Sequence, residues 1–329
     1  MGCGVETPST QGRITAKTAR QMLDVLDDVH GELNRKEKAG YPYAEWERKR
    51  AKVRERLRRL PELVHRAADV RVDRHAGRPS ALSLEQRTML LLFARMMNRS
   101  NRDVEDVLGL LGPLFGFSVS YKTVERLYSD PEVRVALRNL LTLLLEEEGS
   151  SGDFTGDGSG YSLSVSRHYR SDPRRSGGGY RHVFHLVDVR TGLIVGFGYS
   201  CVSEMEAFRR AMGMVAGLGV PVDSVSLDRY YSSRSVLSLF GVETAVYVIP
   251  KRNISRVGFG WARVVERALM DPAAFLRRYF ARNLSEAVFS AVKRRFGWVV
   301  RQRRVDRQEG ALFTISLLHN LFTVRVGPL

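Results

Sequence analysis

Three acidic residues are spaced as carboxylates that come from separate elements to one place. Asp157 opens the run Asp157-Gly158-Ser159-Gly160-Tyr161, Asp228 follows the apolar run Val222 to Leu227, and Glu286 lies in a proline-free stretch between Pro272 and Gly297. Carboxylates are hard oxygen donors suited to Mg²⁺, and acids from separate elements can bridge two such ions about 3.5–4 Å apart, an arrangement that serves phosphoryl transfer. Each acid also has a plainer reading. Asp157 with Gly158 could form a turn between strands, Asp228 could cap a helix before Ser233, and Glu286 could sit on the solvated face of an amphipathic helix. Asp153 competes with Asp157, because Asp153-Phe154-Thr155-Gly156 repeats the pattern of an acid followed by a hydroxyl and a glycine. The second copy runs on into an alternating strand, Tyr161 to Val165, which favours Asp157.

The elements needed to position these acids can be read from the pattern around them. Glu146 to Gly152 is acidic and then small, which places a domain boundary near residue 149. Beyond it, Tyr161 to Val165 alternates, and Val183 to Val189 and Leu193 to Tyr199 are apolar runs joined at Arg190-Thr191-Gly192, as in an antiparallel hairpin. An amphipathic helix over Ser203 to Leu218, a strand at Val222 to Leu227, a short helix over Ser233 to Leu239 and a strand at Thr244 to Ile249 follow. A long last helix runs from Asp271-Pro272 to a stop at Gly297. This order predicts an α/β, ribonuclease H-like mixed sheet flanked by helices, with its first three strands antiparallel and its first and fourth adjacent. Asp157 then falls on the first strand and Asp228 at the end of the fourth. On one continuous helix, Tyr279, Arg282, Glu286 and Lys293 would fall within an arc of about 60°, with Phe280, Leu284, Val288 and Ala291 as a separate apolar stripe.

The first half reads as all-helical. Residues 1–75 form a charged lead-in with helices over Thr18 to Leu33 and Tyr43 to Leu60, the second ended by Pro61. His75 to Ser80 reads as a linker or a flexible arm. Within 76–148, Leu84 to Met97, a helix begun by Ser100 and Asp103 and broken at Gly112-Pro113, and a short helix from near Ser120 fit a helix-turn-helix-type DNA-binding region. Tyr121, Lys122 and Arg126 would be exposed on its last helix, and a small helical bundle with no DNA role is the alternative.

Composition narrows the partner. The 329 residues carry 52 Lys and Arg against 36 Asp and Glu, a formal charge of +16, and so large a positive field most often serves nucleic acid. No run approaches a transmembrane helix and no signal-peptide core opens the chain, so a soluble cytoplasmic protein with no membrane partner is expected. Met1 to Glu6 departs from an acylation site at Glu6, and Cys3 and Cys201 are too few for a thiolate metal site.

Tyr279-x₂-Arg282-x₃-Glu286-x₆-Lys293 resembles, at every specified position, the Tyr-Arg-Glu-Lys motif of insertion-sequence DDE transposases. Asp157-Gly158-Ser159-Gly160-Tyr161 resembles that family's first-acid strand, and Asp228-Arg229-Tyr230-Tyr231 its second, with Tyr230 where Gly is common. Lys251-Arg252-Asn253 and Leu318-His319-Asn320-Leu321 are also similar, and the resemblance covers residues 153–322. The gap between second and third acids is too short for the β-insertion that some relatives carry. The resemblance implies that Asp157, Asp228 and Glu286 bind two Mg²⁺ or Mn²⁺ ions, and that Tyr279, Arg282 and Lys293 contact transposon-end DNA. Lys251, Arg252, Arg294 and Arg295 are further candidates for backbone contacts. Terminal repeats and target DNA would be the partners, with a homodimer pairing two ends. A ribonuclease H-like nuclease without strand transfer and a catalytically silent DNA-binding descendant are the rival readings.

Overall fold

The computed structural model describes residues 15–33, 43–70, 80–115, 118–163, 180–254 and 257–324. Residues 75–79 of the expected linker, Ser164 and Val165 of the expected strand, and Met1 to Glu6 lie outside them. The first half is all helix: α1 (Ala16–Leu33), α2 (Tyr43–Arg58), α3 (Leu60–Ala67), α4 (Leu84–Met96), α5 (Asn101–Phe115), α6 (Tyr121–Leu127) and α7 (Pro131–Glu148). Two of the expected breaks are corrected. Pro61 starts α3 rather than ending α2, because a proline in the first turn gives up an N–H that would have no helical partner. The helix α5 runs through Gly112-Pro113 to Phe115, its packing on α6 outweighing the one backbone bond a proline removes. The start at Ser100 holds, with Ser100 and Asp103 exchanging backbone-to-side-chain hydrogen bonds.

The second half holds β1 (Asp153–Leu163), β2 (Arg181–Asp188), β3 (Ile194–Ser200), α8 (Glu204–Gly217), β4 (Ser224–Leu227), α9 (Arg234–Leu237), β5 (Ala245–Tyr247), α10 (Phe259–Met270), α11 (Pro272–Phe280), α12 (Asn283–Phe296), β6 (Val299–Val300) and α13 (Val305–Leu321). The sheet order is β3-β2-β1-β4-β5, with β6 on the far end of β1. Pairs β1·β2 and β2·β3 are antiparallel, while β1·β4 and β4·β5 are parallel. The sheet is therefore mixed, and its first and fourth strands are neighbours, as expected. The hairpin turns at Arg190-Thr191-Gly192, where Asp188 accepts the N–H groups of residues 190 and 191 and Gly192 takes a positive φ of 74°.

Helices cover both faces. On one, α8 lies so close to β3 that a Cβ at Gly198 would sit 1.8 Å from the Ala207 carbonyl oxygen. On the other, α12 stacks Phe289 on His185 of β2 at 4.2 Å, and α13 places Ser316 2.8 Å from the same imidazole. Buried on nearly every side, α13 also packs against α4 and α7, so one apolar cluster runs through both halves of the chain. Its Asn320 both donates to and accepts from the backbone of Ile194 at 2.8 Å, which gives the Leu318 to Leu321 segment a structural role at the edge of β3. No helix among the described residues is long and apolar enough to cross a membrane.

The long helix expected to be the last is also corrected, since α13 follows it. It starts at Asp271, which caps α11 through the Ala274 N–H, and stops at Gly297, but it divides at Ala281 and Arg282. There the backbone bonds tighten to i→i+3, as Ala281, Arg282, Leu284 and Ser285 donate to residues 278, 279, 281 and 282. Periodicity along the sequence does not reveal this turn, because both residues keep right-handed helical torsions.

Candidate active site

The register of β1 against β4 brings the first two acids together. Its last pair is Gly156 with Leu227, so Asp157 and Asp228 are the next residues on two parallel neighbours. Asp157 stands within a strand rather than at a turn, and its Oδ1 accepts from the Gly158 N–H at 2.8 Å. Asp228 precedes a 3₁₀ turn over Arg229–Tyr231, yet its side chain makes no capping bond, and Ser233 caps α9 instead. That leaves the Asp228 carboxylate free for other partners. The other copy of the pattern is occupied: Asp153 accepts from Ser224 Oγ at 2.5 Å and pairs with Arg278 at 2.9 Å.

Glu286, in the first turn of α12, is tied to Asp228 by Arg282. The guanidinium donates to Glu286 Oε1 at 2.8 Å and stands 3.6 Å from Asp228 Oδ1. Burial works against its charge, but Tyr279, Asp228, Glu286 and Asp157 outweigh that and raise its pKa. Its Nε is buried with no hydrogen-bond partner. Lys293, two turns further along α12, donates to Ser159 Oγ at 2.7 Å and to the Gly160 carbonyl at 3.0 Å, with its ammonium 5.0 Å from the Tyr161 ring centre. Burial lowers its pKa, and the field of Asp157 opposes that shift.

A fourth carboxylate was missed by sequence reasoning. Glu204, in the first turn of α8, lies where a side chain at position 158 would otherwise be: a Cβ there would meet its Cδ at 2.2 Å. Its Oε1 accepts from the buried Tyr231 hydroxyl at 2.7 Å. The one clue in the sequence is Gly158 itself, a residue with no side chain in the middle of a strand. Burial, and then the charges of Glu204, Asp228 and Glu286, push the Asp157 carboxyl up to about 6. As the side chains stand, no three His, Cys, Asp or Glu among the described residues are gathered to hold an ion. The donor set nonetheless suits a hard cation, and a cationic guanidinium already lies between Glu286 and Asp228.

The remaining candidates separate. Tyr279, at the end of α11, is only 5% exposed, and its ring lies 5.4 Å from the Arg282 guanidinium, so it supports Arg282 from beneath. Lys251 is exposed 5.8 Å over the Tyr230 ring, and Arg252 points to α1, 3.7 Å from Asp27. Arg294 and Arg295 are exposed at the end of α12, the second lying over Phe322 at 4.3 Å. On α6, Lys122 and Arg126 are exposed and Tyr121 is half-buried between the Arg102 and Lys122 cations. These α6 residues are on a different element from the acids.

No protein-family model matches the chain. Over 315 residues it is 60% identical to a protein of Archaeoglobus fulgidus described as "Probable transposase for insertion sequence element ISA1214", an alignment that spans 95% of this chain and 98% of that relative. Identity at this level over nearly the full length of both proteins means shared ancestry of the whole chain rather than of one segment, and the chain belongs to this family of insertion-sequence transposases.

Proposed function

We propose that the protein is a DDE transposase with a ribonuclease H-like catalytic sheet, in which Asp157, Asp228 and Glu286 hold two Mg²⁺ or Mn²⁺ ions. The observation that carries this reading is a chain of two adjacencies that runs through the three acids. Asp157 and Asp228 are adjacent on parallel strands, and Arg282 contacts both Asp228 and Glu286. Ions bound there supply Lewis-acid stabilisation of the attacking and leaving oxygens in an in-line displacement at phosphorus.

The protein's own groups do the rest. Arg282, held by Tyr279 and reaching both Asp228 and Glu286, would contact the DNA phosphate if ions were bound by those carboxylates. Lys293 fixes the glycine-rich stretch of β1 beside Asp157 and adds positive charge next to the cut. Lys251, Arg252, Arg294 and Arg295 contact the phosphate backbone, and the α6 residues Tyr121, Lys122 and Arg126 contact the transposon end as part of a helical DNA-binding region over 76–148, ahead of the catalytic region that begins at 149. Two copies pair two ends, and the work is done on cytoplasmic DNA.

The test is an assay of the purified chain with Mg²⁺ and labelled DNA carrying the element's terminal repeats, scored for nicking at the end and for joining to a target duplex. Both products are expected. Cutting without joining would make the protein a nuclease, and binding without cutting a silent descendant.

A further inference from the structure

Tyr230 stands two residues after Asp228, and the cleavage chemistry described so far gives it no task. Its backbone is unstrained. It sits in the 3₁₀ turn Arg229–Tyr231, closed by the Tyr231 N–H on the Asp228 carbonyl at 2.9 Å, and Asn98 is the one non-glycine residue with positive φ among the described residues. The turn is anchored by Tyr231, which is fully buried and donates its hydroxyl to Glu204. Tyr230 packs edge-to-face on that ring, 5.2 Å between centres at 88°, yet remains 46% exposed. A large aromatic ring is thus held rigidly and presented to solvent, with the exposed Lys251 ammonium 5.8 Å over it.

We infer that Tyr230 is a stacking platform for a nucleobase displaced from the duplex at the cut, with Lys251 holding the adjoining phosphate; this rests on the proposed DNA cleavage at Asp228. Two residues span at most about 7.2 Å between Cα atoms, roughly one nucleotide's reach from any phosphate served by Asp228. In an intact duplex the faces of the bases are covered by their neighbours, so a protein ring can stack only on a base that has left the helix. Stacking of this kind is tolerant of sequence, since every base has a π face, and a cation beside the ring suits the attached phosphate. A ring fixed in advance loses little conformational freedom when the base arrives.

The experiment uses the full chain and terminal-repeat duplexes, intact or with one abasic nucleotide stepped through the positions flanking the cut. On intact DNA, Tyr230→Ala is expected to slow cleavage roughly 5- to 150-fold, the range alanine substitution of a stacking ring gives, and Tyr230→Trp to recover most of that loss. At one abasic position the alanine variant and the wild type should cut at nearly equal rates, because no base is left to stack. Equal penalties on every substrate, or an alanine variant as fast as wild type on intact DNA, would overturn the stacking role. If the wild type cuts none of these substrates, the proposed function fails instead. Metal-free titration with a duplex carrying the same nucleotide unpaired then still tests Tyr230, through weaker binding by Tyr230→Ala that vanishes when the base is removed.

Discussion

Replacing Asp157 with Asn should stabilise the metal-free protein near neutral pH, although it removes a residue proposed to be essential. Burial and the neighbouring Glu204, Asp228 and Glu286 carry the Asp157 carboxyl to about 6, whereas in the unfolded chain it titrates near 3.9. A raised carboxyl pKa means that the folded state holds its proton longer than the unfolded state. Stability therefore falls as pH rises from about 4 to about 6 and stays lower above that window. A shift of about 2 units corresponds to about 3 kcal/mol. Asn keeps an oxygen to accept the Gly158 N–H while removing the charge. With an unfolding entropy of about 2.1 cal/mol/K per residue, about 3 kcal/mol in a chain of 329 residues raises the melting temperature by about 4 °C. Thermal unfolding followed by circular dichroism in EDTA should show that gain at about pH 7.5 and its disappearance near pH 4. Adding Mn²⁺ should then stabilise the wild type and not the variant. A destabilised Asn variant, or a gain unchanged across this pH range, would refute the crowding of negative charge at the site.

Gly198→Ala puts a methyl group against the Ala207 carbonyl of α8. It should cost at least about 3 kcal/mol in urea unfolding, because backbone cannot move aside as a side chain can. Tyr279→Ala should cost about 3–5 kcal/mol in the DNA-free protein, as for other large buried rings; lost DNA binding with unchanged stability would contradict its burial. Arg282→Gln frees Glu286 and Asp228 from a charge-assisted contact and should tighten Mn²⁺ binding about 10-fold in calorimetry without DNA. Weaker binding would mean that Arg282 orders the carboxylates rather than occupying their site.

The parts of the fold legible in the sequence were those governed by local signals. Two apolar runs and the turn at Arg190-Thr191-Gly192 specified the β2·β3 hairpin, Ser203 and Asp271 marked helix starts, and Gly297 marked a stop. Acid spacing and element order together placed Asp157 beside Asp228, and the register agrees. Features that depend on packing were hidden. The turn at Ala281-Arg282 has no proline or glycine, and it moves Tyr279 from the expected polar stripe into the core. The helix α13 lacks an amphipathic stripe because it is enclosed on nearly every side, so periodicity could not reveal it. Glu204 is a first-turn acid of α8 that only its position over Gly158 brings to the site. Asp153 and Asp157 have similar sequence contexts but different surroundings, since Arg278 and Ser224 engage the first.

The central claim is that Asp157, Asp228 and Glu286 together, and not Asp153, perform the chemistry. The most direct measurement is strand transfer of a pre-nicked, labelled terminal repeat into target DNA with Mn²⁺, comparing the wild type with Asp157→Asn, Asp228→Asn, Glu286→Gln and Asp153→Asn. Loss of the metal-activating groups should reduce joining by at least about 10³-fold in each of the first three variants while end binding persists. Asp153→Asn should retain joining in proportion to its folded fraction. Full activity in any one of the first three, or loss confined to Asp153→Asn, would contradict the account.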